Sequence, residues 1–166
     1  MKRVLCDSIL GHFDLIWGMY EEAMIDIQDE HWSDGDIEYL IPARQCFHVI
    51  ETADYYSSDK QDAFPWGHRF GVRARETTRD NYPSQSNILR YHRDVQGRIT
   101  DWIETLGDEG LLRSQDVFRW TGDTVLSRLL YVLSHYRQHF GEINAELRRR
   151  GLPRIKWKIV EGSDYE

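Results

Sequence analysis

Hydrophobic residues recur with a period of about 3.6 residues in four segments, and this period predicts four helices. The predicted helices span about 2–27, 42–57, 84–106 and 122–150. Pro42 suits the first turn of the second helix, because its missing N–H would have no partner there. Thr121 is placed to cap the fourth helix, which Gly151 and Pro153 end. The pattern therefore predicts an all-α fold, and 166 residues favour one domain over 1–166.

The connections between the predicted helices contain about 14, 26 and 15 residues. The middle connection, 58–83, is long for a compact domain and is therefore expected to be functional or partly ordered. A long crossover between two helix pairs is one known way to connect a four-helix bundle. Near the C-terminus, Ile155, Trp157 and Ile159 alternate with polar residues. This alternation predicts a short strand or an extended tail that packs on the helices.

Composition and charge exclude several classes of protein. The chain is 40% hydrophobic and 30% charged, with a formal net charge of −7. An acidic balance argues against nucleic-acid binding, which needs clustered Lys and Arg. The longest uncharged runs are far shorter than the ~20 residues that span a bilayer, so no membrane partner is expected. Cys6 and Cys46 are too few for a disulfide scaffold, which favours a reducing cytoplasmic location.

The histidines carry the chemistry that the sequence suggests. His135 and His139 are four residues apart in the fourth helix, so both imidazoles lie on one face. This spacing lets a helix supply two metal ligands, although two chance surface histidines can have it too. Ser134 precedes the pair and Tyr136 follows its first member, so the metalloprotease pattern with an adjacent Glu is absent. His48, among apolar residues in the second helix, is the best candidate for a third ligand; alone, it would be a satisfied core histidine.

The second and fourth helices carry motifs that occur together in one protein family. Residues 47–55, FHVIETADY, have the pattern apolar-His-apolar-x-x-x-acidic, and His-x-x-x-His at 135–139 precedes Gly141, Glu142 and an arginine-rich end with Gly-Leu at 148–152. In order, placement and spacing, these motifs resemble the DinB/YfiT-like family of four-helix metal proteins. Glu142 departs from the Gln that the family often has, and the 58–83 connection looks longer than usual. Substrate identity therefore does not carry over.

The resemblance implies an up-down-down-up four-helix bundle with a mononuclear metal held by His48, His135 and His139. Three neutral imidazoles suit zinc, nickel or iron better than magnesium or calcium, with zinc expected first. Three protein ligands and an open position are typical of a catalytic site. Members of the family include transferases and isomerases that use low-molecular-weight thiols, and some are hydrolases.

Two hypotheses for function follow. The first is a metal-dependent enzyme that activates a low-molecular-weight thiol or water for reaction with a small-molecule substrate, as a thiol-dependent transferase or isomerase or as a hydrolase. The alternative is a non-catalytic helical module that binds metal or dimerises. A homodimer is expected under both hypotheses.

Three further residues are candidates for catalytic roles. Glu142, one turn past His139, could accept a hydrogen bond from a ligand or act as a base, or be a solvated carboxylate. His12, at the edge of the first apolar face, could approach the metal as a partner or fourth ligand, or pack at that edge. His92 lies on the third apolar face, where a buried, hydrogen-bonded histidine is favoured over an acid/base role. Three aromatic residues could line a pocket: Trp17, Tyr55 and Tyr91.

Overall fold

A computed structural model describes residues 3–159, and within this range the chain is all-α and forms no strand. The helices are α1 (Val4–Asp26), α2 (Asp29–Trp32), α3 (Pro42–Ser57), α4 (Gln85–Leu111) and α5 (Val125–Arg149). Single turns of 3₁₀ helix lie at Glu38–Leu40, Ala74–Glu76 and Arg119–Thr121. The prediction of an all-α fold is confirmed. None of the described helices combines the length and the apolar run that crossing a bilayer requires.

The ends of the long helices depend on local backbone chemistry. α3 occupies the predicted span, whereas α4 continues to Leu111 across a break at Gly107, whose φ of 63° is not helical. The predicted cap of the last helix is wrong: Thr124, not Thr121, caps α5, with its Oγ1 accepting the N–H of Ser127 at 3.1 Å. Gly122, at a φ of 118°, separates Thr121 from the helix. The predicted start of the first helix, at residue 2, lies outside the described residues.

The residues after α5 form an extended tail without strand pairing, which decides between the two predictions for this segment. Ile155 is buried, and its backbone N–H donates to Oδ1 of Asn144 at 2.9 Å. Its carbonyl accepts from Nδ2 of the same Asn144 at 3.2 Å. One side chain on α5 therefore satisfies both backbone groups of Ile155 and holds the tail against the helices.

α1 and α3 each pack against both α4 and α5, and the four long helices share one hydrophobic core. The core is rich in fully buried aromatic side chains: Phe13, Trp17, Tyr20, Phe47, Tyr91, Tyr136 and Phe140. α4 also caps α1, because Asp108, directly after the break, accepts the N–H groups of Leu5 at 3.2 Å and Cys6 at 2.9 Å. The first N–H groups of a helix have no partner within it, so this carboxylate joins the two helices at that end.

His92 belongs to this core. It is fully buried, its Nε2 lies 3.3 Å from the carbonyl oxygen of Trp17, and its ring contacts those of Tyr20 and Tyr136. Since a carbonyl can only accept, Nε2 carries the proton. Burial lowers the pKa of this imidazole to about 4. The favoured prediction for this residue, a buried and hydrogen-bonded histidine, is confirmed.

The long connection between α3 and α4 is anchored to α3 by a buried carboxylate. Only 3% of Glu51 is exposed; its Oε1 accepts the N–H of Gly67 at 2.8 Å and its Oε2 accepts that of Ala74 at 2.9 Å. Gly67 has a φ of 79°, and a Cβ there would lie 3.0 Å from the backbone of Val72, so the turn requires glycine. We call these two hydrogen bonds the Glu51 clamp. They order the middle of the connection.

Replacing Glu51 by Gln should destabilise the protein by about 2 kcal/mol, because an amide NH₂ would then face one of the two buried backbone donors. The measurement is denaturant unfolding together with hydrogen exchange, which should quicken at Gly67 and Ala74. Glu76→Gln changes an exposed carboxylate in the same connection and should leave both unchanged. Equal effects of the two substitutions would contradict the Glu51 clamp.

Candidate metal centre

Packing of α3 on α5 brings together the three histidines that the sequence suggested as ligands. His48 comes from the middle of α3, and His135 and His139 lie one turn apart on α5. One ring nitrogen from each lies within 4.8 Å of the other two. Among residues 3–159, this is the one group of three or more His, Cys, Asp or Glu residues that converges in this way. We call it the histidine triad.

The two histidines of α5 have the separation expected of ligands to one ion. Their Nε2 atoms are 3.1 Å apart. Two nitrogens bound to a tetrahedral zinc at about 2.0–2.1 Å would be separated by roughly 3.3 Å. The ring of His48 lies 5.1 Å from that of His135 and 5.0 Å from that of His139, measured between centroids. The third imidazole is therefore equally close to both.

The surroundings keep His48 and His135 uncharged at neutral pH. Burial, and after it the neighbouring imidazoles, lower the pKa of His48 to about 3 and that of His135 to about 4. A metal binds the neutral imidazole, because a protonated ring nitrogen has no lone pair to donate. The imidazoles of His48 and His135 are therefore in the form that coordinates a metal.

Glu142 orients the third imidazole of the triad. Its Oε2 lies 2.7 Å from Nδ1 of His139 and also accepts from Nε2 of Gln45 at 3.0 Å. An ionised carboxylate only accepts, so Nδ1 of His139 carries the proton and Nε2, which faces His135, keeps its lone pair. Of the roles considered for Glu142, hydrogen bonding to a triad histidine matches this contact.

Two cavities open beside the triad, and both are lined by His48 and Arg75. One, of about 310 Å³, also has His139 and Glu142 in its wall. The other, of about 360 Å³, runs under the long connection, and we call it the aromatic cavity. Its aromatic residues are Tyr55, Tyr56 and Trp66. Small molecules can therefore reach His48 through either cavity.

Several of the expected residues lie away from the triad. His12 is exposed on α1, with its Nδ1 3.4 Å from the guanidinium of Arg137, and His92 is held in the core by Trp17. Neither residue lines the two cavities. Trp17 and Tyr91 are buried in the core, so of the aromatic residues proposed to line a pocket only Tyr55 lines the aromatic cavity.

Two residues of the cavity walls, Arg75 and Trp66, were not predicted from the sequence. Both belong to the long connection, whose path depends on the Glu51 clamp and not on a local pattern. The length of that connection was the available signal, since long ordered loops are often functional. A further cavity, of about 600 Å³, lies elsewhere, between the end of α1 and the C-terminal tail, and none of the triad lines it.

Comparison with known proteins leaves the site to be judged on its own geometry. No protein-family model matches the chain, and no curated protein or solved structure matches it significantly. The resemblance to the DinB/YfiT-like family therefore depends on the motifs of α3 and α5 alone.

Proposed function

We propose that this chain is a metal-dependent enzyme in which His48, His135 and His139 hold one divalent transition-metal ion. The observation that carries the proposal is the convergence of the triad, with ligand nitrogens within 4.8 Å of one another. Zinc is the first expectation and nickel or iron the alternatives, because neutral imidazoles suit these ions. When bound, such an ion would lower the pKa of a water or a low-molecular-weight thiol and make it a nucleophile at neutral pH.

The number of protein ligands supports catalysis over a structural role. Structural zinc sites are usually closed by four protein ligands, whereas catalytic sites keep a position for water or substrate. In the described part of the chain, no fourth His, Cys, Asp or Glu joins the triad. The two cavities beside His48 give a small-molecule substrate a route to the ion. A transferase or hydrolase reaction is consistent with this arrangement.

The residues around the triad contribute orientation. Glu142 holds the proton of His139 on Nδ1, and Gln45 holds the Glu142 carboxylate in place. Thr52 places its hydroxyl oxygen 3.4 Å from Nδ1 of His48, one helical turn away. In this proposal Glu142 is a positioning residue, since it acts on the ion through His139.

We also propose a topology for the helix bundle, a cellular location and an oligomeric state. An up-down-down-up four-helix bundle of the DinB/YfiT-like kind is supported by the packing of α1 and α3 against both α4 and α5. The long connection after α3 suits the crossover that such a bundle needs. Cys6 and Cys46 are buried free thiols, which is compatible with a reducing cytoplasmic location. We extend the proposal to a homodimer, and light scattering tests that part.

Protein purified without a metal-binding tag should contain about one transition-metal ion per chain, the stoichiometry of a three-ligand mononuclear site. Elemental analysis measures it. The combined variant His48→Ala, His135→Ala, His139→Ala should lose the metal. The variant His12→Ala, His68→Ala removes exposed histidines outside the triad and should keep it. Full metal content in the triad variant would overturn the proposal.

Replacing Glu142 by Gln should weaken zinc binding about 10–100-fold, because the ligand His139 would lose a charged hydrogen-bond partner. Glu142→Ala should weaken it further. Competition with a chromogenic chelator gives the affinities. Glu104→Gln, at an exposed carboxylate on α4, is the matched control. Unchanged zinc affinity in both Glu142 variants would show that this carboxylate does not orient the ligand.

An exchangeable position distinguishes an enzyme from a structural metal site. Cobalt(II)-substituted protein should develop a sulfur-to-cobalt charge-transfer band when 2-mercaptoethanol is added, because the thiol can enter the open position. Absorption spectroscopy follows the titration, and 2-methoxyethanol, which lacks the thiol, is the control. A spectrum that stays unchanged, with cobalt fully bound, would favour the non-catalytic module.

A further inference from the structure

Arg75 is an unpaired cation beside the triad. It lines both cavities together with His48. Arg44 pairs with Glu38 at 2.6 Å and Arg73 with Glu76 at 3.8 Å, whereas no carboxylate among the described residues lies within 4.0 Å of the Arg75 guanidinium. A cation at a cavity wall without an acidic partner in this part of the chain is available to a ligand.

The backbone at Arg75 is held firmly. Its carbonyl accepts a hydrogen bond from Nη2 of Arg44 at 2.8 Å. The preceding residue, Ala74, donates its N–H to Glu51 and so belongs to the Glu51 clamp. The stem of the guanidinium is therefore anchored to α3 from two sides. A binding group on an anchored backbone loses less entropy when it engages a ligand.

Electrostatics favour an anion next to Arg75. Arg75 and His48 line the same two cavities, so the charge of the guanidinium lies beside the triad. A bound divalent ion would add a second positive charge to the same cavity wall. Of the carboxylates that line the two cavities, Glu51 accepts from two backbone N–H groups, Glu142 contacts His139 and Gln45, and Glu76 pairs with Arg73 at 3.8 Å. An anionic ligand would relieve the repulsion between the two cationic centres.

The residues of the aromatic cavity indicate which chemical group the ligand has besides its negative charge. Tyr55 lies 4.7 Å from Trp66 and 5.0 Å from Tyr56, measured between ring centroids. These rings form one wall of the aromatic cavity, with His48 and Arg75 also in its lining. An apolar wall with a few placed polar groups is typical of a small-molecule site. Such a wall packs well against a flat apolar body.

We propose that the site takes small organic carboxylates with an aromatic or similarly flat body, with Arg75 binding the carboxylate and Tyr55 and Trp66 packing on the body. This inference rests on the proposed metal site, because the second cationic centre is the ion. A guanidinium can hold a carboxylate through two parallel hydrogen bonds, which suits a singly charged planar group. The ligand would span the aromatic cavity and present its anionic end beside the triad.

Titration calorimetry with three probes tests the proposal on zinc-loaded protein. Phenylacetate has both the carboxylate and the ring, 2-phenylacetamide has the ring without the charge, and acetate has the charge without the ring. Phenylacetate should bind at least about tenfold more tightly than either of the others, as expected for losing a charged hydrogen bond or an aromatic contact. Equal binding of phenylacetate and 2-phenylacetamide would overturn the proposal.

Variants of Arg75 assign the effect to this side chain. Arg75→Gln should weaken phenylacetate binding about tenfold and leave 2-phenylacetamide binding unchanged, while Arg75→Lys should recover part of the loss by keeping the charge. Arg90→Gln, an exposed arginine on α4 outside both cavities, is the matched control. Wild-type affinity for phenylacetate in Arg75→Gln would mean that the ion alone holds the carboxylate, and would overturn the proposal.

Zinc affinity, measured without phenylacetate, separates this inference from the proposed function. In Arg75→Gln it should be unchanged or tighter, because a repelling charge is removed. If the wild-type chain binds no zinc, the proposed function fails on that measurement, and this inference fails with it. If zinc binds but phenylacetate does not bind at millimolar concentrations, the inference fails and the proposed metal site stands.

Discussion

The position of α3 depends on the cost of leaving a polar group unpaired in the protein interior. This cost is about 1–3 kcal/mol for each group. Of the 16 residues of α3, 12 are buried, and several of these are polar. Three of these find partners in other segments. Glu51 holds the long connection, Gln45 bonds to the carbonyl of Tyr39 and to Glu142, and Asp54 accepts from the hydroxyl of Tyr91. Moving α3 would therefore break contacts with several segments at once.

The contacts that hold α3 in place also hold His48, because His48 lies on α3. Its position relative to His135 and His139 is set by two packed helices and not by a loop. The charge-neutral state of His48 has the same origin, since the burial that fixes α3 also lowers the pKa of this imidazole. A preformed group of ligands loses little entropy on binding an ion. The packing of α3 and the chemistry of the triad thus follow from one constraint.

The sequence predicted those features that depend on local spacing. Helix α3 has the span that its apolar period and Pro42 indicated, and a separation of four residues placed His135 and His139 on one face. The capping of α5 was missed because Thr121 and Thr124 both precede the helix, and only the backbone angle of Gly122 decides between them. A local pattern with two equivalent candidates cannot make that choice.

Features that depend on tertiary packing could not be predicted from the sequence. His12 lies at the edge of an apolar face, and such an edge does not say which neighbouring helix it will meet; in the structure it meets Arg137. Glu51 reads as an ordinary helix carboxylate until its two backbone partners, 16 and 23 residues later, are known. Without them, the placement of Arg75 and Trp66 beside the triad could not be inferred.

The Glu51 clamp also divides the molecule into two parts that can evolve separately. The triad lies on α3 and α5, whereas Arg75 and Trp66 lie on a connection joined to α3 through backbone N–H groups. Backbone groups are present whatever the side chains, so many replacements in the connection would leave the Glu51 clamp intact. Exposed side chains of the connection, such as Arg75, are thus free to diversify among descendants while the histidines stay in place.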